Sequence, residues 1–475
     1  MSFRKSVKYH TVIDIIDEKC VFKVPNVLRR QNPEAYTPDV VTIGPFHHNK
    51  EKKGKLKEEF KLMKELKKKY LNEVLARMEN ITLKDLTGKV TEFSDQENED
   101  ACSFETQARR FYGEPLLAHI SSKDFMEMMI VDGCFLVQLF RKSKHSILRS
   151  SDDPVFNMDC MFHFLCHDIL LVENQLPWFV IHSLYTLTLD KFPDNASLST
   201  LILNAFSILP SLKRSCSSYG KHLNKSPCDV DYLHILDLLR ASILPLKTID
   251  EGSNRKQSRS SNRGDQGTIG KGEESEDKSV HDGVFEPDHH QIRTATELAK
   301  ADIKFQKVIE ESIMDIHFEE GGWFRNGILK IPQLNVGMSS ETLFRNLIAI
   351  EQCYHGYSNE ITSYAIFMDN LISSKEDLEL LWKYQIIGNW MSDEDGCKFF
   401  SNLYKDIPHN KFYYVKLCEH VNARHRSKWY QWLAVLKSER FANPWRILAF
   451  GIGFLILFLT AWSSANNIRV NMHKK

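Results

Sequence analysis

Apolar residues recur at three- and four-residue steps through most of the chain, the pattern of helices with one buried face. Between Lys50 and Met78, Leu56, Phe60, Met63, Tyr70, Val74 and Met78 recur at three- or four-residue steps, apart from one seven-residue gap, which predicts one long helix. The same period predicts helices over Phe104–Phe111, Lys123–Arg141, Asn157–Leu171 and Val230–Leu244. Further along it predicts Thr294–Lys307, Glu341–Cys353 capped by Ser340, Thr362–Ile372, Lys375–Tyr384, Glu394–Lys405 and Tyr413–Phe441. Asn174 is read as the cap of a helix entered through Pro177, whose missing N–H costs nothing in a first turn. Strand signals are few. Val40-Val41-Thr42-Ile43 reads as a strand ended by Gly44-Pro45, and Gly327–Val336 as two short pieces broken by Pro332. Thr91–Asp100 reads as an acidic loop. No period of 20–50 residues repeats, so a solenoid is not supported.

One run is apolar on every side. Ile447–Trp462 holds ten Leu, Ile or Phe residues and no charge. Extended from Trp445 to Ala465, it would rise roughly 31 Å as a helix, close to the hydrocarbon thickness of a bilayer. Ten such residues contribute about −5 kcal/mol on an insertion scale. Trp445, Ile447, Phe454, Leu457 and Trp462 are the expected anchor residues, the tryptophans at the interfaces, with Arg446 able to reach the headgroups. The alternative is a buried core helix. The flanking basic residues barely favour a cytosolic N-terminal side, and the N-terminus lacks the apolar stretch of a secretory signal. The expectation is a single-pass membrane protein with its body in the cytosol.

Residues 250–291 break the pattern. They hold ten acidic and six basic residues and almost no large apolar ones. Such a segment buries too little surface to offset its ordering entropy. It is read as a disordered linker between an N-terminal helical half, 1–249, and a C-terminal half, 292–441. A transmembrane helix at 445–465 and a short tail at 466–475 follow. The halves are expected to pack together. The fold class is therefore mainly α: a helical globular body with a few short strands, a disordered internal linker and a single C-terminal transmembrane helix.

Composition alters this little. The 475 residues are 42% hydrophobic and 26% charged, with 62 basic against 62 acidic side chains. No basic excess points to nucleic acid, which is not an expected partner. Lys50–Lys69 carries ten Lys and four Glu, yet the interleaved Glu residues favour a solvated face over a membrane-surface helix. Ten cysteines without any C-x-x-C spacing read as reduced, mostly buried thiols. Asn80-Ile-Thr82 and Asn195-Ala-Ser197 fit the glycosylation pattern, but such triplets arise often by chance.

Candidate chemistry is sparse. There is no phosphate loop, no H-E-x-x-H and no G-x-S-x-G elbow. His163 and His167 share a helix face with Cys166 nearby, but two ligands are not a metal site. Glu351 and His355 share a face while Cys353 points elsewhere, so a thiol–base pair is disfavoured. His47-His48 either bind metal or end a strand, and His281, His289 and His290 fall in or beside the linker. The feature that stands out is Glu173, Asn174 and Gln175, which interrupt the apolar run Ile169–Ile181. If the run is buried, these groups need internal partners. Asn174 is explained as a cap, and Glu173 is expected to meet an arginine, with Arg109 and Arg345 as candidates. No cofactor and no metal are predicted, and catalytic residues stay unassigned.

Several longer segments carry a resemblance. They include VFKVPNVLRRQNPEAYTPDVVTIGPFHH at 21–48, FETQARRFYGE at 104–114, MMIVDGCFLVQLF at 128–140 and DILLVENQLPWFVI at 168–181. TATELAKADIKF at 294–305, GILKIPQLNV at 327–336, ETLFRNLIAIEQC at 341–353, TSYAIFMDNLI at 362–372 and FANPW at 441–445 extend it. Together they resemble the plant family called domain of unknown function 247. The resemblance implies a plant origin, a helical fold, a variable linker and a C-terminal membrane segment. It brings no catalytic residues. Some members are associated with self-incompatibility in grasses, which implies recognition or signalling. Asp302 stands where the family pattern has glycine, which puts a local turn in question. The resulting expectation is a membrane-anchored recognition or signalling component, with a lipid bilayer and unidentified proteins as partners. The alternative is an enzyme with an unrecognised site around Glu173 and His47-His48.

Overall fold

The structure, a computed structural model, describes residues 21–48, 57–97, 103–112, 116–158, 160–189, 196–225, 232–245, 291–309, 312–322, 325–354, 356–388, 393–407, 412–427 and 452–464. The 250–290 part of the expected linker, the 466–475 tail, His281, His289, His290, Asn195 and His355 lie outside these residues.

Besides the four-residue helices Asn26–Arg29 and Pro154–Asn157, the helices of the first half among the described residues are α1 (Lys57–Arg77), α2 (Leu83–Glu97), α3 (Phe104–Arg110), α4 (Ser122–Lys144), α5 (Met161–Ile169), α6 (Trp178–Leu187), α7 (Leu198–Phe206), α8 (Lys213–Lys225) and α9 (Ile235–Ile243). The second half begins with α10 (Ala295–Lys300) and the strands β1 (Ile303–Val308), β2 (His317–Glu319) and β3 (Gly327–Pro332). It continues with α11 (Ser340–Cys353), α12 (Glu360–Leu371), α13 (Lys375–Lys383), α14 (Asp393–Tyr404) and α15 (Val415–Arg426). A last helix, α16, runs over 452–464.

Helix α4 forms the centre of the first half. The Ser121 side chain accepts from the Asp124 N–H at its start, and Arg141, Lys142 and Lys144 oppose the dipole at its end. Nearly every side chain from Met128 to Lys142 is buried, because α1, α6 and α7 pack around it. Gly133 permits the close approach of α6, since a Cβ there would collide with Leu184 Cδ1.

Several expected elements take another form. The acidic stretch from Thr91 continues α2 as far as Glu97. Thr82 and Asp85 cap one another at its start, with Thr82 N–H to Asp85 Oδ2 at 2.9 Å and Asp85 N–H to Thr82 Oγ1 at 3.2 Å. Leu86 and Val90 are its buried stripe. The expected Thr294–Lys307 helix ends at Lys300. Asp302 adopts φ +62° and the chain becomes β1, with Ile303 and Phe305 buried and Lys304 exposed. Asp302 thus occupies a left-handed turn that glycine would fill without strain. The sheet order is β1-β3-β2, with β1 parallel to β3 and β2 antiparallel to it. Beyond Pro332, Leu334 bridges Ile387. Asn157–Leu171 divides into a single turn, Pro154–Asn157, and α5. Val40–Ile43 is not a strand.

The expected transmembrane helix is a correction. Among the described residues no helix is long and apolar enough to cross a membrane. Helix α16 has thirteen residues and rises about 20 Å, short of the roughly 30 Å hydrocarbon layer. Phe454, Leu457 and Trp462 lie on it and are exposed, whereas Trp445 and Ile447 lie outside the described residues. The expectations of a single-pass anchor and a membrane location are overturned with it. The apolar composition of the run had stood in for helix length.

One hydrophobic core joins described residues of both halves, from Val21 and Val24 through α4 to Phe344, Phe367 and Val421.

Candidate functional site

The segment from the end of α5 reads Asp168-Ile-Leu-Leu-Val-Glu173-Asn-Gln175, and it buries four polar side chains in an apolar run. Burial of this kind requires partners. The partners are mostly backbone groups of the N-terminal arm, residues 21–48.

Asp168 Oδ1 accepts from Asp39 N–H at 3.0 Å, and its Oδ2 accepts from Val40 and Val41 N–H at 2.7 and 2.8 Å. Asn174 Oδ1 accepts from Ile43 N–H at 2.6 Å, while its Nδ2 donates to Val41 O at 3.0 Å and Asp168 O at 2.9 Å. The amide thus does for Val41 and Ile43 what a neighbouring strand would do. This is why the strand-like sequence Val40–Ile43 stays out of any sheet, and why Asn174 is not a helix cap. The helix that follows, α6, starts at Trp178 after Pro177, with no side-chain cap. Asp132, in the middle of α4, accepts from Gly44 N–H at 2.9 Å and from Lys67 Nζ at 2.6 Å, and Lys67 also donates to Thr42 O.

Glu173 Oε1 accepts from Val24 N–H at 2.7 Å and from Arg29, and His47 Nε2 lies 3.4 Å from its Oε2. The arginine is Arg29. Arg109 pairs instead with Glu105 at 2.7 Å, and Arg345 with Glu341 at 2.7 Å. Gln175 donates to Ile169 O and Leu171 O, accepts from Leu236 N–H at 3.2 Å, and its carbonyl accepts from Tyr112 Oη at 3.1 Å. Gly44, at φ +69°, passes so close to Gln175 O and Tyr112 Oη that a Cβ would sit 3.0 and 3.1 Å from them.

The second half closes on the same segment. Asn346 of α11 accepts from Val172 N–H at 3.0 Å and donates to Ala35 O at 2.8 Å. His167 Nε2 lies 2.9 Å from Thr342 Oγ1. A second buried cluster joins α9 to α11 and α12. Arg240 donates to Glu360 at 2.7 Å and Glu351 at 3.3 Å, above the ring of Tyr357. Glu351 also accepts from Ile361 N–H, Thr362 N–H and Thr362 Oγ1. Burial pushes the Glu351 carboxyl up to about 7. A third cluster places Lys142, fully buried, on Asp153 and Glu73, with Tyr70 donating to Asp153.

The other candidate chemistry is dispersed. His163 is exposed while Cys166 is buried, so they do not converge. Asp39, His167 and Asp168 do place ligand-capable atoms within 4.8 Å of one another. The Asp168 oxygens there already take three backbone N–H groups, so this carboxylate fastens the arm. Burial pushes the thiols of Cys134 and Cys216 up to about 12 and that of Cys353 up to about 11, far from thiolate chemistry. His48 is half-buried. Asp132, Asp168, Lys67 and Asn346 were not singled out in the sequence. The available signal was a charged or amide residue inside an apolar run, as in Met128–Phe140, the same signal that marked Glu173.

Comparison with known proteins agrees with these segments. Residues 21–459 match the family described as plant protein of unknown function, domain of unknown function 247. The chain belongs to that family. It is similar to UPF0481 protein At3g47200 of Arabidopsis thaliana, 28% identical over 452 residues, which spans 94% of this chain and 85% of the relative. It is also similar to the putative UPF0481 protein At3g02645 of the same plant, 22% identical, over 93% of this chain and 88% of the relative. No solved structure matches the chain. The 21–48 arm and the 168–181 segment, which hold one another in the structure, both lie inside the matched range of the family.

Proposed function

We propose that this family member is a recognition or signalling component that acts through contacts with other proteins. The observation that carries the reading is the inward commitment of its polar chemistry. Asp132, Asp168, Glu173 and Asn174 are all buried and each accepts backbone N–H groups of the 21–48 arm. Groups so used build a rigid framework on which outer loops are displayed, the usual division of labour in binding proteins. The enzyme alternative centres on Glu173 and His47, and their 3.4 Å approach is its best support. Both side chains are nearly sealed, at 4% and 1% exposure, and Glu173 is already engaged by Val24 and Arg29. That environment favours a structural use.

Proximity labelling with the full chain in plant cells tests the reading. A reproducible set of protein neighbours is expected, and it should be depleted for Asp168→Ala, which releases the arm. The absence of any reproducible neighbour would count against the proposal.

A further inference from the structure

At the C-terminal end of α4 the chain makes one turn, Ser146–Leu148, and Arg149 folds back beneath the helix. Its Nε donates to Lys142 O at 2.7 Å and its Nη2 to Ser143 O at 2.8 Å. These bonds cap two carbonyls of the helix end. A guanidinium carries five N–H donors, so three remain. Among the described residues no carboxylate pairs with this cation. The guanidinium lies over Phe156, 4.3 Å from the ring centroid.

Beside it opens a concavity of about 300 Å³, lined by Ser143, Arg149, Phe156, Phe162, Asn204 and Ile208 among others. Phe156 and Phe162 stand 5.4 Å apart and form an apolar wall. Ser143 Oγ is buried and has no hydrogen-bond partner among the described residues. The surroundings thus combine a guanidinium with no carboxylate at ion-pair distance among the described residues, a free hydroxyl, an amide and an aromatic wall. They come from α4, the Arg149 turn, the Pro154–Asn157 turn, α5 and α7, elements fixed by the core.

We propose that this concavity binds a small molecule with a planar apolar body and one carboxylate. The carboxylate matches the open edge of a guanidinium, the pairing that gives Arg its selectivity for planar anions. Ser143 Oγ supplies a third donor to it. The apolar body lies against Phe156, Phe162 and Ile208. The volume is at the small end of the usual range for ligand sites. A single guanidinium balances a monoanion and leaves a phosphate dianion half-compensated, which sets the ligand class.

The test uses the full chain and two probes of equal shape, 2-naphthoate and its neutral amide, by titration calorimetry. The acid is expected to bind with Kd below roughly 1 mM, and the amide at least about tenfold more weakly. Arg149→Met should abolish the preference for the acid. Because Arg149 also caps α4, Asn204→Trp is the companion variant. Asn204 is exposed on α7 and lines the concavity, and it takes no part in the bonds by which Arg149 caps α4, so a Trp there is expected to occupy the concavity. Loss of binding in Asn204→Trp supports the site. Three results would overturn it: no binding at roughly 1 mM, equal affinity for acid and amide, or undiminished binding to Asn204→Trp.

Discussion

Replacing Asp168 by Ala removes one carboxylate that receives three backbone N–H groups, from Asp39, Val40 and Val41. Val41 is fully buried, Val40 half-buried and Asp39 exposed, so the three donors do not cost the same when orphaned. A buried donor left without its charged acceptor costs about 2–3 kcal/mol, and one that water reaches costs a fraction of that. The half-buried and exposed donors together add about 1 kcal/mol. The sum is about 3–4 kcal/mol, concentrated in the arm, while the α5 helix that carries Asp168 keeps its own ladder. Local opening of residues 39–44 should therefore become roughly 100- to 1,000-fold more frequent. Peptide-resolved hydrogen exchange measures this directly. Asp168→Asn keeps one acceptor but turns an amide toward a donor, so an increase of roughly tenfold is expected. Exchange over 39–44 within about twofold of the parent chain in Asp168→Ala would refute the reasoning. The arm would then be held by its apolar residues alone.

Asp302→Gly should lower the urea midpoint only slightly, because relief of the +62° backbone, about 1 kcal/mol, offsets the lost bond to Asn326 but not the loss of the carboxylate 3.9 Å from buried Arg424. Asp302→Val should lower stability by about 2 kcal/mol in the same assay. Gly44→Ala combines a positive φ with a Cβ 3.0 Å from Gln175 O, and should destabilise by about 2 kcal/mol in urea unfolding. Glu351 makes stability pH-dependent. Burial raises its folded carboxyl from 4.5 to about 7, so its stabilising contribution is complete below the unfolded value and is lost as pH rises through 7. The stability of the parent chain minus that of Glu351→Gln should fall between about pH 5 and pH 8, and a rise would contradict the sign.

Helical periodicity made most of the second half readable, because apolar residues recur at helical spacing through α11 to α14, even where α11 and α12 are buried nearly all round. What it could not resolve were places where a side chain replaces the backbone as partner. Val40–Ile43 has strand composition, but its ladder partner is the Asn174 amide and the Asp168 carboxylate, more than 120 residues away. The Thr294–Lys307 segment has a helical pattern until Asp302, where a single left-handed residue converts it to β1. Thr91–Glu97 looks like a loop from its charges, yet Thr82 and Asp85 had already started the helix. The polar interruption at 173–175 was visible, and its meaning was only half visible. Burial demanded partners, but the identity of Arg29 required the arm's path. Asp132 carried the same mark, one polar residue in an apolar helix, without an adjacent second to draw notice, and Asn346 carried it beside Arg345.

A double-mutant cycle on Arg29 and Glu173 tests most directly whether the buried polar groups exist to fasten the arm. Arg29→Met, Glu173→Gln and the double variant would be compared with the parent chain by urea unfolding. A coupling energy of about 2 kcal/mol is expected, since each partner is left with a poorly solvated charge when the other is removed. Additive single effects, with coupling below about 0.5 kcal/mol, would contradict the assignment and return Glu173 to the groups whose purpose lies outside the fold.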